Sequence, residues 1–524
     1  MQRLNLMNDN PGTFSQFPLH ASSVPSPSEL KLTMEITPLT FPPEDQVMPF
    51  IPADRPPSDA QAAPPQGSFP DSAPAATPEA SPDVSPVMPG GTGDTSSGIA
   101  PQADSTQPAV LDPIDSPYAG EMRINVVSAL GLIPIENATV VISYTGDPEN
   151  PIETLTTNSS GQTDIIELPA PPLNLSLSPS EIQPYSEYNI NVTAEGYEPV
   201  FVTGSEVFAD QLSLQPIRMN PLETTEEEEK VVVIPAHTLF GIFPPKIPED
   251  EIKPMAETGE IVLSRVVIPE YVIVHDGVPM DPTAPNYWVR YKDYIKNVAS
   301  CEIYSTWNEA ALYANILAIQ SFTLNRVFTE WYRNQGYDFT ITSSTAYDQK
   351  WVYGRNIYEN IDYLVDTIFA NYLSRPGVRQ PIFTSYCDGR RVTCAGLSQW
   401  GSQYLAEEGY SAIEIIRYYY GNDMYINSAE VISGVPSSWP GYDLTIGSAG
   451  DKVRQLQTQL NRIARNYPAI PTVVADGIYG PATAEAIRIF QGIFNLPQTG
   501  ITDYATWYEV SEIYVGVTRI AEPG

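Results

Sequence analysis

Two carboxylates stand out as groups that can move protons. Glu302 lies in Tyr294-Ile-Lys-Asn-Val-Ala-Ser-Cys-Glu302-Ile-Tyr-Ser-Thr-Trp307, between Cys301 and Ile303, with Tyr304 and Trp307 close in sequence. Apolar neighbours strip water from a carboxyl and raise its pKa, and a carboxyl still protonated near neutral pH is a general acid. The competing reading is that Glu302 caps or buttresses the helix starting near Trp307, since an acidic side chain is favourable at a helix N-terminus. Asp348, in Tyr347-Asp348-Gln349, is the second carboxylate, suited to orienting a substrate or balancing developing positive charge. Gln349, Ser398 and Gln399 supply amide and hydroxyl groups for hydrogen bonding, or else build turns. Trp351 and Trp400 offer aromatic faces, or else pack as core. Cys301 adjoins Glu302, but no histidine stands near it to complete a Cys/His nucleophile.

Other chemistries find little support. All three histidines precede residue 290, so a zinc site in the second half is not expected. Cys387 and Cys394 with an Asp are the remaining metal set to weigh, and the expectation is no metal and no cofactor. Three cysteines exclude a disulfide framework, although one pair can form. No nucleotide-binding loop or nucleic-acid motif appears.

The elements that must position these residues follow from periodicity. Trp307 to Trp331 is apolar nearly all round, which predicts a buried central helix. Ile357, Ile361, Leu364, Val365, Ile368 and Tyr372 predict an amphipathic second helix, and Ser398–Glu408 and Ser411–Tyr420 two more, broken at Gly409. Short β-branched runs between 118 and 219, separated by turns such as Asn158-Ser-Ser-Gly161, predict a β-sandwich. From Val231 to Val289 the chain is strand-rich but dotted with proline, which favours sheet edges. Near the C-terminus, Val453, Leu456, Leu460 and Ile463 share one helix face, as do Ala486, Ile489, Phe490 and Ile493. Pro481 suits the first position of that second helix. The expected class is multidomain α+β. It comprises a disordered Pro/Ser-rich tail over 1–117, a β-sandwich over 118–219, an acidic linker over 220–235, an α+β segment over 236–435 and a three-helix unit over 441–515.

Charge divides the 524 residues unevenly. Residues 290–524 hold 18 Lys+Arg and 23 Asp+Glu, a net of −5; the whole chain carries −36, so residues 1–289 carry −31. Such a front half repels nucleic acid and anionic glycan alike, as a removable or merely solvated segment does. Prolines number 52, about twice the usual share. The run Glu226–Glu229 marks an exposed protease target, and an activating protease is expected near 219–240. No apolar run suits a secretory signal or a membrane span, so no membrane partner is expected.

Several ordered blocks resemble known families. Leu444 to Trp507, with Asp476-Gly-Ile-Tyr-Gly480, Phe490-Gln491 and Thr499-Gly500, resembles the peptidoglycan-binding domain of bacterial cell-wall hydrolases. The resemblance implies glycan or stem-peptide contacts from Asp476, Tyr479 and Gln491. Residues 118–219, with Ala194-Glu-Gly-Tyr197, are similar to the carboxypeptidase-regulatory-like domain, which implies a spacer or adhesive element without catalysis. Glu302 and Trp307 before the buried helix, Gly396-Leu-Ser-Gln-Trp-Gly401 and Tyr418-Tyr-Tyr-Gly421 resemble the SpoIID/LytB family over roughly 285–430. That resemblance implies a lytic transglycosylase of glycan strands, with Glu302 as acid and base, Asp348 in support, and Gln349, Ser398, Gln399 and Trp400 holding the sugar. One carboxyl suffices there because the muramic C6 hydroxyl is the nucleophile, whereas ordinary glycosidases use two. The chain departs from the family helix at Ala310, Asn315 and Gln320, and Asp388–Ala395 replaces a histidine-bearing segment. A catalytically dead relative that recruits another hydrolase, or a spore-coat structural protein, is the alternative. With its domain order, the resemblance implies a spore cortex enzyme made without a signal peptide, held as a zymogen and trimmed near 219–240.

Overall fold

The computed structural model describes residues 116–129, 132–222, 229–253 and 265–518. The expected tail over 1–117 lies outside these residues except for its last two positions. Seven strands come first: β1 (Ala119–Ser128), β2 (Thr139–Tyr144), β3 (Asp147–Thr156), β4 (Ile166–Pro169), β5 (Ser186–Thr193), β6 (Val200–Val207) and β7 (Leu212–Met219), with the one-turn helix α1 (Asn174–Leu177) between β4 and β5. Alternate residues face inward, as a pleated strand demands. Met122, Ile124 and Val126 of β1 meet Val140, Ile142, Ile190, Val192 and Val202 in one core between two sheets. One sheet places β7 parallel to β1 and β4 antiparallel to it; the other runs β3-β2-β5-β6.

Each sheet is completed by chain from beyond the sandwich. β8 (Lys230–Val233) pairs parallel to β6, with Val200 opposite Lys230 and Thr203 opposite Val233. Val232 and Ile234 enter the sandwich core. Gly204, at φ +85°, permits this approach, because a side chain there would collide with the Ile234 carbonyl. Residues 230–234, expected as the end of an acidic linker over 220–235, are therefore sheet and core. The β-branched run Val231-Val-Val-Ile234 outweighs the charge that precedes it. On the other sheet, Ile357–Tyr358 pairs with β7. The boundary placed between sandwich and α+β segment is not a seam.

A buried polar cluster locks that junction. Arg355 meets Glu206 of β6 at 2.5 Å, both side chains being 1% exposed. Tyr358 donates to the same carboxylate, and Asn356 bonds the Glu206 carbonyl and Ser213. Burial pushes the Glu206 carboxyl up, and the guanidinium beside it pulls the other way.

The α core follows: α2 (Tyr291–Glu302), α3 (Glu309–Phe328), α4 (Glu359–Ile368), α5 (Gln399–Glu407) and α6 (Ala412–Tyr420). Helix α3 is the predicted central helix, with Leu312, Ile316, Leu317, Ile319, Phe322 and Leu324 buried on every side. Its last unit packs α7 (Asp451–Ile463), α8 (Pro481–Ile493) and α9 (Tyr504–Thr518) around Leu456, Leu460, Phe490 and Trp507. Helix α9 also docks on the core. Lys292 of α2 bonds Asp366 at 3.0 Å, Glu509 at 2.5 Å and Glu512 at 2.8 Å, and Lys296 bonds Asp362 and Asp366. Arg290 reaches Glu512 at 3.5 Å.

Removing one member of a buried pair strands the other charge. Arg355→Ala should lower stability by about 3–5 kcal/mol in urea unfolding, while the paired Glu206→Leu/Arg355→Met exchange should cost clearly less. The helix α9 network sets a pH dependence. Burial raises Glu509 to about 7 against the pull of Lys292, with Asp366 and Glu512 adding to the rise. Burial acts the same way on Glu512, but Lys292 and Arg290 outweigh it and hold it at about 2. A raised folded-state acid contributes stability below its unfolded pKa and loses it as pH rises through the folded value. The melting temperature should therefore fall between about pH 5 and 8, and Glu509→Gln should flatten that fall. Glu512 acts in the opposite sense, its contribution disappearing as pH drops from about 4.5 toward 2.

Candidate functional site

Glu302 is the last residue of α2 and is 5% exposed. The extended Ile303 ends the helix and turns the chain toward α3. Asn308, not Glu302, caps α3, its side chain accepting the Ala310 N–H at 3.0 Å. The Glu302 carboxylate instead accepts the Lys350 N–H at 2.9 Å on Oε1 and the Gln399 amide at 3.3 Å on Oε2. Gln399 also donates to the Glu302 carbonyl at 2.9 Å. Two residues 97 positions apart are thus brought together, because α5 begins where α2 ends.

Both line a cavity of about 220 Å³. One wall is the loop after Tyr386, and the roof is the segment Gly241-Ile-Phe-Pro-Pro-Lys246. The expected apolar shield of Tyr304 and Trp307 lies elsewhere. Trp307 packs at a tilt against Trp400, ring centroids 5.0 Å apart, and donates to the Ser176 carbonyl of α1, and Tyr304 packs against His237 and Phe208. Phe243, Pro244 and Tyr386 take that place in the cavity wall. Sequence reasoning missed this roof because its residues lie about 60 positions upstream of Glu302, in a stretch read as strand-rich.

The other predicted residues are placed as follows. Asp348 is fully buried and does not line the cavity. It accepts from Arg326 Nε at 2.7 Å, Tyr332 OH at 2.6 Å, and the Thr342 N–H and hydroxyl at 2.9 and 2.7 Å. Four donors engage it, one on Oδ1 and three on Oδ2, so the expected supporting role in catalysis is corrected to a structural one. Gln349 is likewise consumed: Tyr294 and Thr323 donate to its Oε1, and its amide donates to the Ile319 carbonyl. Ser398 caps α5, accepting the Gly401 N–H at 3.0 Å. Trp351 is core, 4% exposed. Trp400 sits half-buried in a separate recess beside Tyr304, Asp388 and the sandwich loop through Glu181.

In the C-terminal unit, Tyr479 is buried and bonds the Gly500 carbonyl and Thr502. Gln491 is buried, bonding Thr499, Ile501, Thr506 and the Gly500 N–H. These residues hold the turns of the unit together, which corrects their expected glycan contacts. Asp476 remains exposed, accepting the Ile478 N–H at 2.8 Å.

Cys387 and Cys394 are joined in a disulfide, so neither thiolate is free to bind metal. No group of three or more metal-ligating side chains occurs among the described residues. Asp388, inside the disulfide loop, also lines the cavity, but its carboxylate is taken by the N–H groups of Arg390, Arg391 and Val392. Among the described residues, no helix is long and apolar enough to cross a membrane. Asp348→Asn should destabilise the fold by about 3 kcal/mol or more, seen as an earlier urea midpoint, because Arg326 loses a buried charge partner.

Comparison with known proteins identifies one part of the chain. Residues 449–509 match the peptidoglycan binding domain family. The chain is 39% identical over 77 residues to the zinc D-Ala-D-Ala carboxypeptidase of Streptomyces albus G, a match covering 14% of this chain and 28% of that protein. The chain thus spans under a third of this curated relative. Among solved structures, the Bacillus anthracis TIE protein aligns at 13% identity and TM-score 0.15, covering 20% of this chain and 17% of its own. The minor pilin GBS52 of Streptococcus agalactiae aligns at 15% identity and TM-score 0.15, covering 23% and 49%. Scores this low carry no argument about fold or function. The C-terminal three-helix unit is a peptidoglycan-binding domain, and peptidoglycan is the partner it supports.

Proposed function

We propose that the protein is a lytic transglycosylase that cuts MurNAc–GlcNAc bonds in peptidoglycan, with Glu302 as its acid and base. The observation carrying this reading is the pairing of Glu302 with Gln399 in a cavity whose other carboxylate, Asp388, is occupied by its own loop. Glu302 protonates the glycosidic oxygen as the C1–O bond breaks. The muramic C6 hydroxyl then attacks C1, closing a 1,6-anhydro ring, and its proton returns to the Glu302 carboxylate. No water is consumed and no second carboxylate is needed. The Lys350 N–H on Oε1 and the Gln399 amide on Oε2 fix the orientation of the carboxyl in the cavity.

The departures on the central helix lie away from this cavity. Asn315 donates to Ser402 at 2.7 Å and Gln320 to the Ile368 carbonyl at 3.3 Å, so both serve the packing of α3. That favours an active enzyme over a dead recruiter. The peptidoglycan-binding domain, docked through α9, keeps the cavity near its polymer, with the exposed turn at Asp476 as a candidate contact. The lopsided charge and the domain order support a role in spore cortex breakdown, with the enzyme held as a zymogen until a protease acts near 219–240.

Purified cortex and vegetative sacculi, incubated with the full chain, should release anhydro-muropeptides detectable by mass spectrometry. Glu302→Gln should cut that release by at least about 100-fold. Reducing-end products would instead identify a hydrolase. Wall binding without release by either protein would leave a recruiting protein.

A further inference from the structure

The roof over Glu302 is pinned at both ends and held in the middle only by side chains, the Lys350 ammonium standing 5.5 Å over the Phe243 ring. At its start, His237 Nε2 lies 3.2 Å from the Ile303 carbonyl, and the Thr238 N–H and hydroxyl reach the Cys301 carbonyl at 3.2 and 2.7 Å. These contacts fall on the two residues flanking Glu302. At its end, the Ile247 N–H donates to the Ala346 carbonyl at 2.7 Å, and the Lys246 ammonium donates to the Asp348 carbonyl. Between Gly241 and Ile247 the strap makes no main-chain hydrogen bond to the rest of the described residues, and Pro244 and Pro245 have no N–H to offer. Ile242 at its crest is 95% exposed.

A single side chain gathers the near half of this strap. Arg391 Nη1 donates to three consecutive carbonyls, those of Leu239 at 3.3 Å, Phe240 at 2.6 Å and Gly241 at 3.1 Å. It does so from a stiff mount. The Cys387–Cys394 bridge closes the loop that carries it, and Asp388 accepts three N–H groups inside that loop. The guanidinium also stands 3.8 Å from Glu181 of the sandwich, a solvent-exposed pair of little energetic weight.

Under this cover the cavity measures about 220 Å³. Clefts that bury drug-sized ligands run to roughly 300–1,000 Å³. Glu302 is itself 5% exposed, so a glycan strand, which must place two sugars across it, needs the strap to move. We propose that residues 237–247 form an autoinhibitory cover over the Glu302 cavity, with Arg391 as its latch, and that glycan reaches Glu302 only after the latch releases. The autoinhibitory role rests on the glycan-cleaving reading of Glu302, whereas the closure itself does not.

The test uses the full chain carrying Thr345→Cys on the fixed cavity wall, with and without Arg391→Ala. The one native free thiol, Cys301, is buried and serves as the internal control. Labelling of the new thiol by a bulky maleimide should run roughly tenfold faster or more without Arg391, the factor expected for losing a hydrogen bond to a charged group. Arg391→Lys, which keeps one charge, should fall between. Equal labelling rates at matched melting temperature would overturn the latch. In parallel, anhydro-muropeptide release should rise several-fold in Arg391→Ala. Faster labelling with release unchanged or reduced, where the parent chain is active, would overturn autoinhibition. Faster labelling with no release from any form supports the closure and sinks the cleavage reading alone.

Discussion

The buried pairing of Glu206 with Arg355 is the contact on which the rest of the architecture hangs. Neither charge reaches water, so each needs the other, and the two come from units that the chain builds 149 residues apart. Around them, Tyr358, Asn356 and Ser213 satisfy the remaining polar groups. A site so costly to leave half-filled allows one seating of the sandwich against the α core. The strands Lys230–Val233 and Ile357–Tyr358 then finish the two sheets, because their backbone groups find partners only in that seating.

The same logic recurs wherever two parts of the chain meet. Lys292 and Lys296 collect four acids from α4 and α9 and so fix the peptidoglycan-binding unit to the core. Arg326 is held between Asp348 and Glu249, which ties the segment after the strap to the central helix. Asp348, which looked catalytic by sequence, is spent as a structural counter-ion. Glu302 differs. Its carboxylate bonds a backbone N–H and a neutral amide, and among the described residues no cation forms an ion pair with it.

The sequence was legible where a local pattern settles structure. The apolar face round α3, the alternation along β1 and the turn residues of the sandwich each predicted their elements, since burial of a periodic face needs no knowledge of the partner. Lys230–Val233 was misread because charge in Glu226–Glu229 was weighed above the β-branched run that follows. Asp348 and Gln349 looked like site residues because they sit beside a block resembling a catalytic family. Their donors, Arg326, Tyr332, Thr323 and Tyr294, lie up to 55 positions away and leave no mark on the local sequence.

By itself, the sequence determined the central helix, the sandwich strands and the peptidoglycan-binding unit. Those follow from residue type and spacing along one stretch of chain, whereas Glu302 was singled out by a resemblance to a family. Tertiary structure alone decided which polar groups are spent, that Gln399 meets Glu302, that Cys387 and Cys394 are bonded, and that the strap through Phe243 closes the cavity. Hydrogen bonding and desolvation depend on what is near in space, and the segments that supply it here, from Thr238 to Gln399, are far apart along the chain.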